Sequence, residues 1–270
     1  MRISVFRDSV NADRVGASIL LKEIREKLNP KLGLATGSSP VGIYRQLAEL
    51  YRRNHFSFKH VSSFNLDEYV GLSEDHPQSY AAFMREHLFQ HLDIEPRNIH
   101  IPNGIAESAE EECIRYEKLL QEAGPLDIQL LGIGLNGHIG FNEPGKNLSS
   151  ETHLVTLTEE TRRANARWFL LDGQTPRQAI TMGVGPIMKA KKVLLIAQGE
   201  EKSSIIQEAF LGPITTHCPA SLLQLHPNLL VLLDEAAASR LIDDSQPSFR
   251  IYVNKRIDFL YEPDLRELVQ

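Results

Sequence analysis

A chain of 270 residues with 42% hydrophobic and 24% charged residues has the make-up of an ordinary globular protein, near the upper limit of what one hydrophobic core organises. A net charge of −6 excludes a broad basic surface for nucleic acid or for an anionic membrane, so an anionic ligand must be met by cations placed locally. The amino-terminal run Met1-Arg2-Ile3-Ser4-Val5-Phe6-Arg7-Asp8 has no apolar stretch of signal-peptide length and no later run reaches membrane-spanning length, which makes the cytoplasm the expected location.

In chain order, longer segments of helical period alternate with short aliphatic runs. Ala17 to Leu28 predicts a helix, Leu32 to Ala35 a strand, Val41 to Arg52 a helix and Val61 to Asn65 a strand. Helices follow at Ser79 to Phe89 and Glu110 to Ala123, strands at Ile128 to Gly132 and Val193 to Ala197, a helix at Ser203 to Phe210, and a strand at Leu229 to Leu233. This alternation predicts an α/β fold, a doubly wound, mostly parallel, Rossmann-like sheet with helices on both faces. No repeat, low-complexity run or Gly/Ser linker divides the chain, so residues 1–270 are read as a single domain. The stretch from Thr158 to Pro186, polar at first and then rich in Gly and Pro, fits a mobile lid over a site or, equally, a surface helix with a following loop. Phe249 to Gln270 carries more apolar residues than a disordered tail and is expected to complete the core or to form an interface.

In an open parallel sheet ligands bind beyond the carboxyl ends of the strands, so the segments that follow the strands carry the argument. The first is Thr36-Gly37-Ser38-Ser39-Pro40, with Ser39 suited to a helix cap and Pro40 to the first helical position. Free backbone N–H groups, the helix dipole and the three hydroxyls suit an anion such as phosphate, although a tight turn into a capped helix explains the same residues. The second is Phe64-Asn65-Leu66-Asp67-Glu68-Tyr69, in which adjacent acids point in different directions. Asp67 is the candidate base, ionised at neutral pH if its pKa is that of an unperturbed carboxylate; a turn-capping Asp is the competing reading.

The third segment, Gly132-Ile133-Gly134-Leu135-Asn136-Gly137-His138-Ile139-Gly140-Phe141-Asn142-Glu143-Pro144, satisfies the dinucleotide fingerprint Gly-x-Gly-x-x-Gly over its first residues. That reading fails because Gly140, Pro144 and Gly145 forbid the helix the fingerprint requires. What remains is His138 flanked by glycines, with Asn136 before it and Glu143 after it, an arrangement that can hold an imidazole in one tautomer for proton transfer, whereas a lone histidine is more often structural. Metal readings fail: the ten His residues show no His-Glu-x-x-His motif, and Cys113 and Cys218 lie far apart outside any Cys-x-x-Cys. No Gly-x-Ser-x-Gly nucleophile elbow is present either.

Taken together, Gly33 to Pro40, Phe64 to Gly71, Gly132 to Gly145, Thr161-Arg162-Arg163-Ala164-Asn165-Ala166-Arg167 and Leu225-His226-Pro227 resemble the glucosamine-6-phosphate deaminase family in order and spacing through nearly the whole chain. The resemblance implies conversion of glucosamine 6-phosphate into fructose 6-phosphate and ammonia with no metal and no cofactor. It implies that Asp67 moves a proton from C2 to C1, that His138 with Glu143 and Asn136 beside it opens the pyranose ring, and that Thr36, Gly37, Ser38, Ser39, Arg167 and Lys202 hold the phosphate. Arg167 would do so as a bidentate fork and Lys202 as a point charge.

Two departures carry further expectations. Where some relatives have Asp, Asn136 brings no negative charge, which leaves Glu143 to stabilise the imidazolium alone and lowers the assistance to His138. Relatives activated by N-acetylglucosamine 6-phosphate place Ser, Ser, Arg and Lys where this chain has Lys146, Asn147, His153 and Val155, so no such activation is expected. The rival readings are a 6-phosphogluconolactonase, whose Gly-His is followed by a different pattern, and a non-catalytic sugar-phosphate sensor, which would not need Asp67, His138 and Glu143 together.

Overall fold

The computed structural model describes residues 1–54, 56–159, 161–162, 175–241 and 258–261. Its strands are β1 (Arg2–Phe6), β2 (Lys31–Leu34), β3 (Ser62–Asn65), β4 (Asp67–Tyr69), β5 (Ile99–His100), β6 (Ile128–Leu131), β7 (His153–Thr156), β8 (Gln178–Thr181), β9 (Val193–Ala197), β10 (Leu229–Asp234) and β11 (Asp258–Tyr261). The described α-helices are α1 (Ser9–Glu26), α2 (Val41–Asn54), α3 (Tyr80–His87), α4 (Ala109–Ala123), α5 (Val184–Lys189), α6 (Ser203–Leu211) and α7 (Glu235–Ala238). None of them is long and apolar enough to cross a membrane.

The main sheet has eight strands in the order β11-β1-β10-β9-β6-β2-β3-β5, all paired in parallel. Helices cover both faces, as the sequence pattern predicts. On one face Leu131, Val193, Leu195 and Val231 pack with Tyr116 and Leu120 of α4 and with Ile206 and Phe210 of α6. On the other, Leu34, Ile128, Leu130 and Leu194 pack with Ile19 and Leu20 of α1 and with Ile43 and Leu47 of α2. Strands buried on both faces lose the alternation of polar and apolar residues, which is why they read as continuous aliphatic runs.

The second sheet, β4-β8-β7, is small and antiparallel. The chain passes between the sheets at Leu66, whose N–H donates to the Leu34 carbonyl at 3.1 Å while its own carbonyl accepts from Met182 N–H at 2.6 Å. This step lifts Asp67 off the end of β3 and sets it opposite Thr181 in the small sheet.

The predicted helix at Ala17 begins two turns earlier in the structure, at Ser9, where the Asp8 carboxylate caps Asn11 N–H at 2.8 Å. The apolar period is broken there because Asp13 and Gly16 occupy the buried face: Asp13 accepts from Gln198 at 2.7 Å, and Gly16 lets α2 approach so closely that a Cβ would stand 2.6 Å from Ile43 Cδ1. The lid reading of Thr158 to Pro186 is corrected in part. Residues 178–181 form β8, the middle strand of the small sheet, with Ala179 and Ile180 fully buried, so this portion is core; residues 160 and 163–174 lie outside the described residues. Of the stretch Phe249 to Gln270, residues 258–261 add the edge strand β11 beside β1.

Candidate active site

Four adjacent strands, β9, β6, β2 and β3, bring the sequence-predicted residues to one edge of the sheet. The loop Thr36 to Ser39 joins β2 to α2, with Gly37 at φ 92°. Pro40, rather than Ser39, supplies the first helical acceptor, taking Tyr44 N–H at 3.0 Å, so Ser39 stands one residue outside the cap. Ser39 packs beside Gly132 at the end of β6, where a Cβ would meet its Oγ at 3.7 Å. Next to Gly132, the Ile133 carbonyl accepts from Lys202 Nζ at 2.8 Å. Burial lowers the Lys202 pKa, against a smaller opposing pull from Glu201. Arg167 lies outside the described residues.

Asp67 and Glu68 divide their labour. Glu68 accepts backbone N–H from Tyr69 at 2.8 Å and from Tyr80 and Ala81 at 2.9 Å, so it closes the amino end of α3 and takes the capping role that competes for Asp67 in the sequence. Burial raises Glu68, those N–H groups pull it back, and the result is a pKa of about 7. Asp67 is only 5% exposed, and among the described residues no donor reaches its carboxylate. Burial, with the neighbouring Glu68 charge adding to it, pushes Asp67 up to about 8. Burial thus favours the protonated form of Asp67, where an unperturbed carboxylate would be ionised at neutral pH.

The loop after β6 folds around a chain of polar contacts. His138 Nδ1 lies 2.7 Å from Asn136 Oδ1, Asn136 Nδ2 donates to Glu143 Oε2 at 2.8 Å, and Glu143 Oε1 accepts from Thr161 Oγ1 at 2.6 Å. A carboxylate only accepts, so the Asn136 amide nitrogen must face Glu143 and its oxygen must face the imidazole. Nδ1 then carries the proton, and the neutral ring keeps its lone pair on Nε2. Burial raises Glu143, but His138, Thr161 and Asn136 together outweigh it and bring the pKa to about 2. Glu143 Oε2 lies 3.6 Å from Nδ1, so the negative charge beside His138 is that of Glu143, with the uncharged Asn136 amide bonded to both.

Two glycines fix this geometry. A Cβ on Gly134 would stand 2.2 Å from His138 Cε1 and 2.3 Å from Nδ1, so the glycine read as part of a dinucleotide fingerprint is the floor on which the imidazole lies. Gly140, at φ 58°, lets the loop turn where a Cβ would meet Thr181 Oγ1 at 3.1 Å and Asp67 Oδ2 at 3.4 Å, which sets the acid against the His138 loop. Gly134→Ala is expected to displace the ring and lower turnover by about 100-fold with little change in melting temperature; turnover within about threefold of wild type would mean the ring orientation is not what Gly134 protects. The segment after α6 braces the same loop, through Ala220 N–H to the Gly137 carbonyl at 2.9 Å and Thr216 Oγ1 to the Gly145 carbonyl at 2.6 Å.

Some features were not assigned from sequence. Thr161 and Thr181 touch the site; Thr161 opens one of the segments that carry the resemblance and lies at the Thr158-x-x-Thr161 spacing of a helix start, but neither pointed to its contact with Glu143, and nothing beyond its hydroxyl singles out Thr181. Leu225-His226-Pro227 proves structural: His226 is 2% exposed, with Nε2 on the Ala190 carbonyl at 2.8 Å and Nδ1 accepting Asn228 N–H at 3.1 Å. Among the described residues no three His, Cys, Asp or Glu side chains gather as metal ligands.

The strand ends of a doubly wound sheet thus bring together a buried acid, a relayed imidazole, a half-buried lysine and a glycine-hydroxyl loop, groups able to do acid–base chemistry and to meet an anion. The chain belongs to the family of glucosamine-6-phosphate isomerases and 6-phosphogluconolactonases, whose model matches residues 11–231. It is 49% identical, over 94% of its length and the whole of the relative, to a glucosamine-6-phosphate deaminase of Thermoanaerobacter pseudethanolicus, and 51% identical over 90% of its length, and 92% of the relative, to one of Shewanella woodyi. Among solved structures, a monomeric glucosamine-6-phosphate deaminase matches with TM-score 0.86 at 45% identity, covering 89% of this chain and all of the other. A 6-phosphogluconolactonase from Thermotoga maritima shares the fold, with TM-score 0.70 at 20% identity over 87% of this chain and all of the other.

Proposed function

We propose that the chain acts as a glucosamine-6-phosphate deaminase, converting glucosamine 6-phosphate and water into fructose 6-phosphate and ammonia, as one catalytic unit in the cytoplasm. The observation that carries this reading is a buried acid, with no donor on it among the described residues, set against the loop that holds an imidazole whose tautomer is fixed from behind. The phosphate sits on the Thr36 to Ser39 backbone and hydroxyls, with Lys202 and Arg167 as the local cations that a chain of net charge −6 has to provide.

His138 Nε2 takes the proton of the C1 hydroxyl and returns it to the ring oxygen, which opens the pyranose; the transient imidazolium is stabilised through Asn136 by Glu143. In the open sugar the C2 ammonium makes the C2 proton acidic and, lying beside Asp67, favours the ionised carboxylate. Asp67 removes that proton, one proton of the ammonium passes to the C1 oxygen, and Asp67 delivers the C2 proton to C1, which leaves a protonated imine at C2. The C2 imine that results is hydrolysed by water, which leaves the ketose and releases ammonia, so atoms and charge balance without a metal or a cofactor.

The test is an assay of metal-stripped protein on glucosamine 6-phosphate, expected to give ammonia and fructose 6-phosphate in equal amounts, with no stimulation by N-acetylglucosamine 6-phosphate. His153 occupies one of the positions where a cation would be needed for that effector, and its Nδ1 is engaged by the Glu151 carbonyl at 2.9 Å. An inert protein that still binds the sugar phosphate would make it a sensor instead, and stimulation by the acetylated sugar would overturn the expectation about Lys146, Asn147, His153 and Val155.

A further inference from the structure

We propose that Thr161 is a positioning residue for His138, acting through Glu143 and Asn136; the proposal rests on the role given to His138 above. The Thr161 side chain is 6% exposed and donates its hydroxyl proton to Glu143 Oε1 at 2.6 Å. The direction of that bond is imposed from the other side. Thr158 Oγ1 accepts Thr161 N–H at 3.2 Å and donates its own proton to Thr161 Oγ1 at 3.0 Å, while Arg162 N–H reaches the Thr158 carbonyl at 2.9 Å, so Thr158 caps a helical turn and occupies one lone pair of the Thr161 hydroxyl. The remaining proton of Thr161 points to the carboxylate.

With Oε1 fixed in this way, the rotation of Glu143 is set and Oε2 is aimed at Asn136 Nδ2. The amide cannot turn over without placing its oxygen against a carboxylate oxygen, and that orientation is what holds the proton on His138 Nδ1. A hydroxyl three steps from the ring thereby decides which ring nitrogen faces the sugar. A purely structural Thr161 would affect stability and leave the state of the imidazole alone.

The experiment compares Thr161→Val, Thr161→Ser and His138→Asn. Thr161→Val removes the donor at nearly constant shape and is expected to lower kcat about tenfold with KM within twofold, and to change the ¹⁵N shifts of His138 toward a mixture of tautomers. Thr161→Ser keeps the donor and is expected to recover most of the lost turnover and the wild-type ¹⁵N pattern. Should Thr161→Val leave kcat and the His138 shifts as in wild type while His138→Asn is inactive, the positioning role is wrong and the catalytic reading stands. If His138→Asn itself retains turnover, the role assigned to His138 fails first. A Val variant that melts lower yet shows unchanged ¹⁵N shifts assigns Thr161 to structure alone.

Discussion

Asp67→Asn is expected to lower turnover on the order of 10³-fold while raising the melting temperature. The two effects have one cause. Asp67 is buried without a donor among the described residues, so the folded protein holds the carboxyl at about 8, far above the ordinary value near 3.8. A folded pKa above the unfolded one means that the unfolded chain releases the proton first. Stability therefore declines as pH rises between the two values, and the cost is complete above about 8. An amide cannot ionise and escapes that cost, so the melting temperature of the variant should exceed that of wild type more at pH 8 than at pH 5. Thermal melts at the two pH values, beside ammonia release, check both halves; a variant that keeps turnover within tenfold, or that gains nothing in stability at pH 8, would remove Asp67 from the role of base.

The same placement sets the pH profile of the wild type. In the free enzyme kcat/KM needs ionised Asp67, so its acid limb should lie near pH 8. With substrate bound, the C2 ammonium beside the carboxylate favours its charged form, and the acid limb of kcat should move to lower pH. A desolvated carboxylate is also a stronger base than an exposed one, so a group that costs stability in the resting protein gains proton affinity for the chemical step.

What the sequence makes legible follows from which forces are local. The strand runs of β6, β9 and β10 announce themselves because burial on both faces demands aliphatic residues at nearly every position. Gly132 to Glu143 stands out as too rich in glycine to be a packing element, and the structure does bring Asn136, His138 and Glu143 together. The states and partners of these groups are not legible. That Asp67 has its pKa raised depends on its burial within a small antiparallel sheet, and β4, β7 and β8 are too short for any period to reveal them. That Asn136 relays between His138 and Glu143 depends on a distance of 3.6 Å being too long for a direct bond, which no spacing along the chain encodes. The purpose of Gly134, left without a role once the dinucleotide fingerprint fails, appears only when the imidazole is seen lying on it.

At the opposite edge of the sheet, Asp127→Asn is expected to destabilise the protein by about 2 kcal/mol at pH 7 while leaving kcat unchanged. Asp127, at the entry to β6, is 4% exposed and accepts Lys31 N–H at 2.8 Å, Lys191 Nζ at 2.8 Å and Lys27 Nζ at 3.0 Å. Lys27 also reaches Glu23 at 2.7 Å, and Glu23 takes Lys192, so one network ties the end of α1 to the starts of β2, β6 and β9. Removing the central charge takes the Asp127 carboxylate from Lys191 and leaves Lys27 with Glu23 alone. The cost stays below that of a fully buried pair because the Lys191 side chain is 60% exposed. Such a loss corresponds to a fall in melting temperature of roughly 4–8 °C for a chain of this size. Burial alone would raise the Asp127 pKa, but Lys191, the Lys31 N–H and Lys27 outweigh it and bring it below the ordinary carboxylate value. The stabilisation is therefore complete above the unfolded pKa, near about 3.9, and is lost as pH falls through the lower folded value. Urea unfolding of wild type and variant at pH 7 and again in strong acid separates the terms: the gap should be full at pH 7 and close as Asp127 is protonated, whereas a gap that persists in acid would assign the effect to shape rather than to charge.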